Sequence, residues 1–175
     1  MPRPRQSVAL PTAYVVLRLL IAFNWFYGTC LLALLIFSFV NEPFLLRALK
    51  LASPAENPLL VLGVRSIAAL GILTVPINLA MLKRMVAMVQ TVRAGDPFVA
   101  ANAYRLNAIA WFLLALQLVG LVISIIAKMV STSAHPLHVD AGFSPGGWLA
   151  VILTFVLARV FAEGTLMRED LEGTV

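Results

Sequence analysis

Few residues of this chain carry groups that do chemistry, and they do not gather. The run HPLHVD brings His135, His138 and Asp140 close together, and two imidazoles with a carboxylate are donors that zinc accepts. Loop spacing of this kind is a weak signal and Pro136 stiffens the link, so no metal ligands are assigned. Inside the long apolar runs stand Arg18, Asn24, Arg65, Asn78, Gln117 and Ser124, but no His, Asp or Glu. A histidine pair for haem is therefore missing, as are a Ser, His and Asp arrangement in a cavity and a glycine-rich phosphate loop. The lack of intramembrane acids also speaks against proton-coupled or cation transport. Cys30 is the single cysteine and cannot close an internal disulfide. The expectation is a protein that is not an enzyme and holds no cofactor.

The elements that would carry these residues belong to a membrane. Of 175 residues, 61% are hydrophobic and 12% charged, against about 45–50% and about 25% in soluble domains. The predicted fold is all-α: an integral membrane four-helix bundle in one domain, with spans at 14–40, 59–82, 106–130 and 145–162. Residues 1–12, with Arg3, Arg5 and three prolines, read as an irregular tail. The first apolar run is too long for a signal peptide and reads as an uncleaved helix. External loops are expected at 41–58, with an interfacial turn near Phe44, and at 131–144. Pro76 should kink the second helix, and neighbouring helices should re-satisfy the carbonyl it frees.

Between the two hairpins lies a basic and polar hinge, 83–105. Met85, Val86, Met88, Val89 and Val92 recur at helical spacing opposite Lys83, Arg84, Gln90 and Thr91, which predicts an amphipathic extension lying on the inner leaflet or a partner. Gly95 is placed to end that helix. Asp96-Pro97 reads as N-cap and first helical residue of the next, and Ser144-Pro145 repeats the device before the fourth span. The net charge of +5 comes from basic residues that punctuate apolar runs, not from a groove interleaved with aromatics, so direct nucleic-acid binding is not expected. With both termini and the hinge cytoplasmic, the inner side receives Arg3, Arg5, Lys83, Arg84, Arg93, Arg105, Arg159 and Arg168. The outer loops keep Arg47 and Lys50, with Lys128 at a helix end, a bias that predicts both termini cytoplasmic.

Two readings of Arg65 stay open: a stem that snorkels to the headgroups, or a buried cation paired with Gln117 or Ser124. Arg18 is read as snorkelling. Asn24, Asn78 and Gln117 serve as interhelical hydrogen-bonding groups; alternatively the trio Arg65, Asn78 and Gln117, near Pro76, forms a small-molecule or lipid site of a sensor or transporter. Gly63, Gly71 and Gly120 permit close helix contacts within one bundle or between copies of a homo-oligomer. The tail, 163–175, leaves the bilayer through the i, i+4 pair Arg159 and Glu163, then turns acidic and reads first as a solvated, partly helical segment. Beside the basic hinge it offers either a self-contact or a surface for a soluble protein. Arg93, Asp96, Arg105, Glu163, Arg168 and Glu169 are the candidate residues of that surface.

Two stretches, TVRAGDPFVAANAYRLNAIAW and VFAEGTLMREDLEGTV, resemble the signature regions of a bacterial membrane family catalogued as domain of unknown function 2975. The matching positions are Gly95, Pro97, Phe98, Asn102 and Arg105 in the hinge. In the tail they are Phe161, Glu163, Gly164, Arg168, Glu169, Leu171, Thr174 and Val175. The resemblance implies four helices in the bacterial inner membrane. It also implies, from the small helix-turn-helix regulators often encoded beside members, a membrane partner that holds or releases a transcription factor.

Overall fold

The computed structural model describes residues 9–48, 58–131 and 143–172, and helices account for nearly all of them. They are α1 (Ala9–Val40), α2 (Glu42–Ala48), α3 (Pro58–Arg93), α4 (Ala100–Val130) and α5 (Pro145–Glu172). Four of these, all but the short α2, are long and apolar enough to cross a membrane.

The long helices pack in chain order, α1 on α3, α3 on α4 and α4 on α5, and each neighbour runs antiparallel to the last. Leu17, early in α1, meets Leu82 and Val86, late in α3. Leu60 and Val61, early in α3, meet Val130 at the end of α4. The aromatic pair Trp111 and Phe155 joins the middle of α4 to the middle of α5. Helix backbones approach closely where side chains are absent: a Cβ on Gly63 would lie 2.6 Å from a methyl of Val130, and one on Gly28 would lie 2.9 Å from a methyl of Val75. The start of α1, the end of α3, the start of α4 and the end of α5 thus share one end of the array, the hinge end. Its opposite is the far end.

At about 1.5 Å per residue, the 36 residues of α3 run about 54 Å, against a hydrocarbon core of about 30 Å. The surplus stands out at the hinge end, together with the last turns of α5.

Several expectations need correction. Helix α1 starts at Ala9 rather than Tyr14, because Pro11 falls in its first turn, where backbone amides have no intrahelical acceptor to lose. Helix α1 also covers part of the α3 extension: Leu82, Val86 and Val89 pack on Tyr14, Leu17 and Ile21, while Met85 of the same apolar face stays exposed. Helix α5 continues without a break through the tail to Glu172. The Asp96-Pro97 cap is not formed: α4 begins after Val99 with no side-chain cap. Ser144 does cap α5, its Oγ accepting from the Gly147 amide at 3.2 Å. Beside Pro76, the Val75 carbonyl accepts an interhelical bond from Asn24 Nδ2 at 3.1 Å.

At the far end, Asn41 ends α1 and opens α2, its Oδ1 accepting from the Phe44 amide at 3.3 Å. Phe44 folds back edge-on to Phe37 with ring centroids 5.1 Å apart. The expected interfacial turn near Phe44 is therefore a short helix.

Candidate functional site

The hinge is built around a stop, an extended link and a buried amide. Gly95 adopts φ 87°, a region an L side chain rarely enters. From there the Gly95 amide donates to the Val92 carbonyl and the Asp96 amide to the Thr91 carbonyl, each at 3.1 Å. This is a Schellman closure of α3, as the glycine predicts. The chain then runs without helix to Val99 (φ −119°, ψ 144°) before α4 starts.

Asn102, in the first turn of α4, has no exposed surface at all. Its Nδ2 donates to the Pro97 carbonyl at 2.9 Å and to Thr91 Oγ1 at 2.8 Å. Its Oδ1 accepts from Arg105 NH1 at 2.8 Å. The Thr91 hydroxyl passes its own proton to the Met88 carbonyl, 2.8 Å away. One side chain thus ties the end of α3, the link and Arg105, with every donor and acceptor of its amide engaged.

The tail docks on the same link. Phe161, Gly164 and Arg168 recur at i, i+3 and i+7 and so share a face of α5. The ring of Phe98 lies 5.3 Å from that of Phe161 and rests on Gly164, where an added Cβ would come 3.4 Å from Phe98 Cδ1. Arg168 NH1 forms an ion pair with Asp96 and reaches toward the Phe98 carbonyl at 3.5 Å. Both side chains of the pair are 46% exposed, so the pair contributes about 0–1 kcal/mol and the aromatic contact does most of the holding. Thr165 is buried beside them and donates to the Phe161 carbonyl at 2.8 Å. Above the junction, an open groove of about 640 Å³ separates α4 from α5, with Tyr104, Asn107 and Arg159 at its rim.

The hinge and tail residues singled out from sequence are therefore at one end but in separate contacts. Asp96 and Arg168 meet each other. The pairing is the reverse of the expected sense, the acid coming from the hinge and the base from the tail. Arg105 serves Asn102, and Glu163 pairs with Arg159 at 2.7 Å. Arg93 turns to α1, its Cζ 5.5 Å from the Tyr14 ring centroid. The side chain of Glu169, the tail positions Thr174 and Val175, and the run with His135, His138 and Asp140 lie outside the described residues.

The intramembrane trio does not assemble. Arg65 looks to α1 and α2, not to Gln117 or Ser124. It donates to the Ser38 carbonyl at 2.7 Å, stands 3.8 Å from Glu42 and lies 4.3 Å over the Phe39 ring. The reason is topological, since the start of α3 abuts the end of α1. The Arg65 Nε is buried without a partner among the described residues. Asn78 lines a shallow groove with Asn24 between α1 and α3. Gln117 reaches α5, its side-chain amide filling the space a Cβ on Gly147 would take. Sequence reasoning missed Thr91 as the partner of Asn102, because a threonine opposite an apolar stripe reads as solvated.

Four membrane-competent helices define a multi-pass membrane protein with lipid-facing flanks. The model of the family described as protein of unknown function (DUF2975) matches residues 43–175, and the chain belongs to that family. No curated protein and no solved structure matches the chain.

Proposed function

We propose that this is a non-enzymatic protein of the bacterial inner membrane, with the hinge end cytoplasmic, whose hinge and tail together bind a cytosolic helix-turn-helix regulator. What supports the reading is that the two stretches resembling the family signatures fold onto each other. Asp96 and Phe98 sit on Phe161, Gly164 and Arg168, beyond the apolar part of the helices. The excess of Lys and Arg at this end supports the cytoplasmic orientation. The composite face offers the partner exposed charge of both signs, Arg159 and Glu163, beside an aromatic pair.

The test is in-cell crosslinking from a photoreactive residue at Glu163, comparing the full chain with Phe98→Ala and Arg168→Glu variants. Recovery of a soluble DNA-binding protein from the full chain, reduced in both variants at equal membrane content, is the expected outcome. Equal recovery from all three, or recovery of membrane components alone, refutes the reading.

A further inference from the structure

Charge is divided unevenly across the hinge end. On the α5 side cations stand beside anions, Arg168 with Asp96 and Arg159 with Glu163. On the α1 and α3 side stand Arg18, Lys83, Arg84 and Arg93, and neither helix contains a single Asp or Glu. Arg84 is absorbed by the bundle: it donates to the Ala80 carbonyl at 3.1 Å and covers Phe112 at 4.8 Å.

Arg18 and Arg93 instead converge on one ring. Arg18 donates to the Tyr14 hydroxyl from Nε at 3.2 Å and from NH2 at 3.0 Å, and its Cζ lies 5.3 Å from the ring centroid. Arg93 comes to the same ring from α3, with its Cζ at 5.5 Å. Among the described residues no carboxylate is within ion-pair reach of either guanidinium. Contact with the ring offsets part of the repulsion between two like charges. It leaves the NH1 group of Arg18 and the whole donor fork of Arg93 without acceptors among the described residues.

Their depth says what meets them. The apolar run that begins just after Arg18 extends to Val40, about 33 Å at 1.5 Å per residue, which matches the hydrocarbon thickness. Arg18 and Tyr14 therefore stand at the headgroup level of the leaflet at the hinge end, where phosphate is the abundant anion. Guanidinium forks match phosphate oxygens in geometry and charge. A zwitterionic lipid would bring a cation of its own to a site that holds no carboxylate to receive it.

We propose that Tyr14, Arg18 and Arg93 form a site for the phosphate of an anionic phospholipid, clamped between the start of α1 and the end of α3. Arg93 then belongs to the lipid, while the contact of Asp96 with Arg168 stays available to a protein partner. This site is independent of the partner reading.

The experiment titrates the purified full chain in mixed micelles with phosphatidylglycerol, phosphatidylcholine or inorganic phosphate and follows thermal unfolding of the helices by circular dichroism. Phosphatidylglycerol should raise the midpoint, with little effect from the other two. The apparent affinity should fall about fivefold in Arg93→Gln and again in the Arg18→Gln, Arg93→Gln double variant, while Lys128→Gln at the far end leaves it unchanged. Among the described residues Arg93 makes no hydrogen bond, so its single variant reports even if the double does not fold. Equal stabilisation by phosphatidylcholine, an unchanged affinity in Arg93→Gln, or an equal loss in Lys128→Gln overturns the site. The same shift from inorganic phosphate overturns its assignment to lipid.

Discussion

Removing the amide of Asn102 should open the hinge. In Asn102→Ala the Pro97 carbonyl loses its donor, at 2.9 Å, and the Thr91 hydroxyl loses another, at 2.8 Å. Around a residue with no exposure, water does not replace them without a local rearrangement. A buried acceptor left unsatisfied costs about 1–3 kcal/mol. Arg105 is only part-buried and can be hydrated, so its lost bond adds little. A net loss of about 2 kcal/mol follows, which is about 30-fold in the equilibrium for opening the link. Hydrogen exchange at the amides of Gly95 and Asp96, which are bonded to Val92 and Thr91, should accelerate by that factor in Asn102→Ala in detergent micelles. Amides in the middle of α4 should keep their protection. Thr91→Val should cost less, about 1 kcal/mol, and the double variant less than the sum, because the two side chains share a bond. Exchange at Gly95 and Asp96 within twofold of wild type in Asn102→Ala would refute the idea that this amide holds the hinge.

Three further outcomes follow from the same geometry. Gly164→Leu places a branched side chain where Phe98 now lies, 3.4 Å from an added Cβ. It should cost about 1–3 kcal/mol and abolish a disulfide engineered between Asp96→Cys and Arg168→Cys, read on a non-reducing gel. Asp96→Arg should lower thermal stability by no more than about 1 kcal/mol, and Arg168→Asp in the same chain should restore it, as a thermal melt of the four chains will show. Arg65→Leu removes the donor to the Ser38 carbonyl and the partner of Glu42. A destabilisation of about 1–3 kcal/mol is expected, measured by the unfolding midpoint, with no change in tail docking.

The parts of this molecule that sequence made legible are those whose chemistry is local. An apolar run long enough for a bilayer names a span whatever lies beside it. Gly95 announces a helix end because the left-handed turn is a property of that residue alone. The two aspartate or serine plus proline pairs show where locality fails. Ser144 accepts from an amide three residues away and caps its helix. Asp96, in the same pattern, is taken by an arginine 72 residues further along the chain. Arg65 fails in the same way, since the period of α3 says which face it occupies but not that the end of α1 faces it. Asn102 and Thr91 are ordinary polar residues until the turn at Gly95 folds one against the other.

The serial packing of the helices bears on how the molecule is made. Each long helix leans on the one that precedes it in the chain, and α1 and α5, at the two edges, share no substantial contact. Leaving the ribosome in order, every helix after α1 finds its neighbour already in the bilayer, and none has to wait for a later one. The last contact to close is that of Phe161, Gly164 and Arg168 with the link made some sixty residues earlier. Until α5 is in place, the link therefore lacks the cover that Phe161 and Arg168 give to Phe98 and Asp96.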